Sequence, residues 1–121
     1  MESETVIKQN QNIENPQDDG VLLRGIVTQD TKTKAGNDFY NFFSIDYRNS
    51  GLNSNKIIAI KELFNFGRNT KIQIMVEMEI VYQFFIQPKE EYLKSMSTQS
   101  LRSVSAYLQQ LIKNQETIQK Y

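Results

Sequence analysis

Cysteine and histidine are absent from this sequence. Without thiolate and imidazole, the usual ligand sets of a zinc site, a thiol nucleophile and a serine–histidine triad cannot be assembled. The lack of cysteine leaves the redox compartment open, because no disulfide framework argues for an oxidising one or against it. No apolar run is long enough to span a bilayer, so direct membrane insertion is not expected. Neither a G-x-x-x-x-G-K-[ST] phosphate loop nor a G-x-G-x-x-G turn occurs. There is no basic excess either: 14 Lys and Arg balance 14 Asp and Glu. Nucleic-acid binding needs a basic surface and is disfavoured. No signal-peptide pattern opens the chain. Met1 suits a native start or a start codon added to a mature chain. These absences point to a binding module, not to an enzyme.

Among the features present, Thr70 to Pro88 dominates. Every even position from Ile72 to Ile86 is apolar: Ile72, Ile74, Val76, Met78, Ile80, Tyr82, Phe84 and Ile86. The odd positions are mostly polar, with Lys71, Gln73, Glu77, Glu79, Gln83 and Gln87. A period of two marks a strand with one apolar face, and the β-branched and aromatic content agrees. The run is longer than an ordinary strand of ~5–6 residues. A two-residue hairpin loop would shift the parity, and the parity does not shift. One long bent strand, or two strands with an odd-length loop near Val76 to Glu79, both satisfy the pattern. No Gly, Pro or Asn marks the turn. Two antiparallel strands meeting near Glu77 are the preferred reading.

At 121 residues the chain suits one domain. Residues 1–20 hold five acids against Lys8 and few large apolar groups, so they read as a flexible tail. A single folded domain is expected over residues 21–121. Val21 to Thr28 is either an edge strand or an anchoring segment, with Gly25 weakening it as strand. Phe39, Phe43 and Tyr47 recur every four residues and predict a helix from about 31 to 48, capped by Asp30 or Thr31. Gly36 inside it costs ~1 kcal/mol relative to Ala. The simplest role for the aromatic stripe is core packing. Asn49 to Asn55 has turn composition. Lys56 to Phe64 reads as a strand with Ile58, Ile60 and Glu62 on one face and Ile57 and Ala59 on the other. Asn65 to Asn69 is a loop whose tip carries Phe66, either tucked back or offered to a partner. After Pro88, Lys89 to Tyr121 reads as a helix with Glu90 and Glu91 in its first turn. Its serine-rich middle allows a break near Thr98. The fold class is therefore α+β: a small antiparallel sheet of two to four strands, packed by two helices, the C-terminal one long.

Charge is unevenly spread. Residues 1–20 carry −4, 21–76 carry +4, 77–91 carry −3 and 92–121 carry +3. Separated patches permit electrostatic steering of a protein partner. Glu77 and Glu79 on one strand face would stand ~7 Å apart, a spacing that suits a carboxylate pair. At a bend on the wetter face, solvated glutamates are the simpler reading.

Several segments together resemble one family. They are Gly36, Asp38, Phe39, Tyr40, Phe43 and Ser44, then Phe66–Gly67, then Val81 to Pro88, then Lys89, Glu90, Glu91, Tyr92 and Lys94. In this order and spacing they are similar to CsgE, the curli assembly and transport component of Gram-negative bacteria. The likeness runs from about Val21 to Gln115. The family's loop aromatic is tryptophan, and Phe66 takes that place here. The strand region is slightly longer and the helix after Tyr92 richer in serine.

The resemblance implies a periplasmic accessory factor of curli secretion whose signal peptide has been removed. It implies a ring-shaped homo-oligomer that caps the outer-membrane secretion channel and binds the amyloid subunit, without cofactor or nucleotide. Expected protein-binding residues are Phe66, Arg68, Lys71, Glu77, Glu79, Glu90 and Glu91. The competing reading is a small α+β ligand-binding domain or enzyme whose aromatic stripe lines a pocket.

Overall fold

The computed structural model describes residues 25–52, 54–64 and 69–119, with side chains up to Gln115. The expected tail, residues 1–20, and the segment Val21–Leu23 lie outside the described residues. Strand β1 is Val27–Asp30, helix α1 is Lys34–Asn49, and strands β2, β3 and β4 are Ile58–Phe64, Thr70–Val76 and Glu79–Phe85. Helix α2 is Glu90–Gln119. The strands form one sheet in the order β1-β2-β3-β4. The α+β class, the two helices and the long second helix are as the sequence indicates. The sheet is mixed, since β1 joins β2 in parallel while β2–β3 and β3–β4 are antiparallel. The parallel pair follows from connectivity. Helix α1 carries the chain back across the sheet between β1 and β2, as a parallel crossover requires.

The period-two pattern places Ile58 and Ile60 of β2, Ile72, Ile74 and Val76 of β3, and Phe84 of β4 on one buried face. Both helices cover that face. Phe39, Phe43 and Tyr47 of α1 and Leu93, Val104 and Leu108 of α2 complete the core. The aromatic stripe is a stacked column, with centroids 6.1 Å apart between Phe39 and Phe43 and 6.0 Å between Phe43 and Tyr47. Phe39 also meets Phe84 edge-on at 4.9 Å. Burying each such side chain contributes ~1.5–3 kcal/mol. All three stripe residues are spent on the core, which leaves them no free surface to line a ligand site.

Helix α1 starts later than the sequence suggests. Asp30 belongs to β1 and the Thr31 hydroxyl turns to Gln29 Oε1. Thr33 is the N-cap: its extended backbone (φ −119°) lets Oγ1 accept from the Gly36 N–H at 3.0 Å. At the other end the Ser50 N–H and hydroxyl both donate to the Tyr47 carbonyl. Gly51 follows at φ +78°, the left-handed residue that closes a helix.

The alternating stretch is a hairpin, and its loop is the two-residue turn Glu77–Met78. Both residues have positive φ, 48° and 75°, the signature of a tight turn that matches strand twist. The parity argument against a two-residue loop fails because of a bulge. The register shifts between Ile74 and Met75, so Met75 faces Ile80 while Ile74 faces Tyr82. One extra residue on β4 restores the even positions to the core side from Tyr82 onward. Ile80 is the exception, half-exposed on the opposite face. Glu77 therefore sits in the turn, and Glu77 and Glu79 do not share a strand face.

Helix α2 runs unbroken through its serine-rich middle. Ser97 and Ser100 are buried, and the Ser97 hydroxyl donates to Asp46 Oδ2 of α1 at 2.6 Å. The serines are small residues that let α2 approach α1, which is why they do not interrupt the helix.

Candidate protein-interaction surface

Both helices lie on one side of the sheet, and among the described residues no other element covers the opposite side. Its rows follow from the register. Leu63, Lys71 and Phe85 lie side by side; Lys61, Gln73 and Gln83 form the next row; Ala59, Met75 and Ile80 the third. Ile57 extends this face past the start of β2, where its carbonyl accepts from the Glu77 N–H. Ile57, Ile80 and Phe85 are each about half-exposed, at 47%, 49% and 50%. The aliphatic and aromatic groups are separated by Lys61, Lys71 and the Gln73–Gln83 pair, whose amides are 3.3 Å apart. Such a mixture of apolar anchors among polar groups is the composition of a protein-binding patch.

Strand β4 is an edge strand, paired on one side only among the described residues. An unpaired edge presents N–H and C=O groups that can receive another strand. One of its carbonyls is occupied, since the Tyr92 hydroxyl at the start of α2 donates to the Phe85 oxygen at 2.6 Å. Met78 at the hairpin tip is 88% exposed, and Phe64 at the end of β2 is 76% exposed.

The charged residues expected to bind partners are not a single cluster. Lys71 lies on the open face. Glu79 begins β4. Glu90 and Glu91 open α2, and Glu90 pairs with Lys94 at 2.9 Å. Glu77 pairs with Lys56 within the chain at 3.4 Å, so these two charges already meet each other. Phe66 and Arg68 lie outside the described residues.

One side chain gained its importance only from the fold. Glu62 points to the covered face and is 1% exposed. Its Oε1 accepts from the N–H groups of Lys32 and Thr33 at 2.6 and 2.9 Å. Its Oε2 accepts from the Thr33 hydroxyl at 2.7 Å and from the Thr70 hydroxyl. Burial alone would raise its pKa. The bonds from Thr70, Thr33 and the two backbone N–H groups outweigh that and hold it below the usual carboxylate value. The carboxylate therefore sits as an anion at the N-terminus of α1, where the helix dipole favours it. It ties β2 to β3 and to α1 beneath the open face. The sequence signal was the break in apolar alternation at Ile58-x-Ile60-x-Glu62.

No helix among the described residues is long and apolar enough to cross a membrane. Among those residues there is no group of three or more acids that could hold a metal ion. The family described as curli assembly protein CsgE matches residues 23–121. No match to the chain was found among curated proteins.

Proposed function

We propose, from the premise that this chain belongs to the CsgE family of curli assembly proteins, that it is a periplasmic accessory factor for curli secretion. In this reading it holds the unfolded amyloid subunit back from polymerising and caps the outer-membrane secretion channel. The observation that carries the reading is the sheet face that the two helices leave uncovered, with Ile57, Leu63, Met75, Ile80 and Phe85, beside the edge of β4, which is unpaired among the described residues. An unfolded amyloid subunit exposes backbone groups that pair with a free strand edge, and its apolar side chains find the adjoining face. The patch is shallow and interrupted by polar groups, so contact is reversible, as a factor that must release its client requires.

The ring follows the same logic. Copies arranged head to tail bring unlike patches together, and the contacts close by rotation. Phe66, Arg68, Lys71, Glu77, Glu79, Glu90 and Glu91 are the proposed contact residues. With Glu77 paired to Lys56 and Glu90 to Lys94, Glu79 and Glu91 carry the acidic side, and Lys61 and Lys71 the basic side.

The test is to add the protein to a polymerising curli subunit and follow an amyloid dye. The intact protein should lengthen the lag. The double variant Met75→Ser, Phe85→Ser, with an unchanged circular dichroism spectrum, should lose that effect. A parent protein without effect, or a variant as inhibitory as its parent, overturns the reading.

A further inference from the structure

Strand β4 offers fewer edge groups than its length suggests. In an antiparallel ladder, alternate residues turn both N–H and C=O toward the neighbouring strand, and the residues between turn theirs away. The Ile86 N–H donates to the Thr70 carbonyl at 2.9 Å. In the same register Phe84 faces Ile72 and Tyr82 faces Ile74. The backbone groups of Tyr82 and Phe84 therefore point to β3, and those of Gln83 and Phe85 point outward. The contact between the Tyr92 hydroxyl and the Phe85 carbonyl, at 2.6 Å, agrees with this phase.

Two features bound the outward run. Toward the hairpin, Val81 is the extra residue of the bulge and interrupts the ladder. Toward α2, Tyr92 occupies the Phe85 carbonyl, and its ring stands edge-on to Phe84 with centroids 6.2 Å apart. The Gln83 N–H, the Gln83 C=O and the Phe85 N–H remain, and no other described strand pairs with them. On the open face the Gln83 side-chain oxygen accepts from Gln73 Nε2 at 3.3 Å, which leaves the Gln83 amide nitrogen as a donor. Phe85, half-exposed, is the next side chain along that face.

Resting on the client-holding function given above, we propose that β4 takes one short extended segment of the unfolded subunit, centred on Gln83, and that Tyr92 sets the end of its register. The segment makes three backbone hydrogen bonds, two with Gln83 and one with the Phe85 N–H. It places a side-chain oxygen against the Gln83 amide nitrogen and an apolar group beside Phe85. A second copy fits this edge less well. A twofold axis through Gln83 would set the bulge of each chain opposite Phe85 of the other, so only the two Gln83 bonds would form. An unfolded segment brings no bulge of its own. The bulge and Tyr92 also keep the added strand from lengthening along β4, in the way that natural edges are blunted.

Amide hydrogen exchange in the full-length protein reads this register. In the protein alone, the Gln83 and Phe85 amides should exchange fast and the Phe84 amide slowly. Curli subunit freshly diluted from denaturant should slow Gln83 and Phe85 and leave Phe84 as it was. Tyr92→Phe releases the Phe85 carbonyl for a further bond and should slow dissociation of the subunit roughly 2–10-fold. Gln83→Pro removes an outward donor that an edge strand does not need for its own ladder. With an unchanged circular dichroism spectrum, it should lose the protection at Phe85. Gln83 and Phe85 amides that are already slow in the protein alone overturn the proposal. So do amides left unchanged by a subunit whose polymerisation the protein still delays, a result under which the holding function stands. Dissociation from Tyr92→Phe as fast as from the parent overturns the role of Tyr92. A protein that neither delays polymerisation nor changes exchange at any amide overturns the holding function together with this register.

Discussion

Glu62 fills the space that a side chain at residue 36 would need. A Cβ built on Gly36 would lie 2.8 Å from Glu62 Cδ and closer still to its Oε1. Gly36 is the first buried residue of α1, one turn after the Thr33 cap. Its N–H bonds to the hydroxyl that also holds Glu62. The glycine is thus the opening through which a buried carboxylate reaches a helix N-terminus.

Gly36→Ala should therefore destabilise the protein, although Ala is the better helix former by ~1 kcal/mol. Forcing a methyl into this packed site costs ~1–3 kcal/mol, and the displaced carboxylate weakens its bonds to Lys32 and Thr33. Urea unfolding should show a lower midpoint at unchanged slope. A midpoint equal to the parent's, or higher, would refute the steric argument.

The lowered pKa of Glu62 carries a pH signature. Its reference value is 4.5, and the folded value lies below that. A group with a depressed folded pKa contributes stability above its unfolded pKa, and that contribution fades as pH falls through the folded value. Stability should decline on acidification below about pH 4.5. Glu62→Gln replaces one acceptor oxygen with a donor facing Thr33 and Thr70. It should cost ~2–4 kcal/mol, from a lost charged hydrogen bond and an unsatisfied buried donor. It should also flatten this acid limb. Parallel stability–pH curves for parent and variant would show that Glu62 does not titrate with folding.

The hairpin turn stores backbone strain. A non-glycine residue in the left-handed region costs roughly 1–2 kcal/mol, and Met78 at φ 75° is almost fully exposed with no packing to lose. Met78→Gly should raise stability by up to ~1 kcal/mol after the entropy that glycine adds to the unfolded chain. Thermal melting reads this directly. A lower melting temperature would mean the turn has another geometry.

Phe39 tests the role of the aromatic stripe. It is fully buried and contacts Phe43 and Phe84. Phe39→Ala should cost ~3–5 kcal/mol through lost burial and the cavity left behind. A stripe that lined a ligand pocket would tolerate the change with little loss of stability, so a small shift in the urea midpoint contradicts the core assignment.

Local repetition was readable from residues alone. Alternation from Ile72 marked strand, four-residue spacing of Phe39, Phe43 and Tyr47 marked α1, and Pro88 with Glu90 and Glu91 marked the start of α2, because each signal lies within a few neighbouring positions. The α+β class followed from their order. Segment by segment, the likeness to the curli assembly family was also present in the sequence, and the match over residues 23–121 bears it out. Tertiary structure alone decided the rest. The parallel docking of β1, the bulge that sends Ile80 to the open face, the burial of Glu62 and the need for glycine at 36 all depend on residues brought together from distant parts of the chain. Which sheet face stays bare depends on where both helices settle, and no window of the sequence contains that choice.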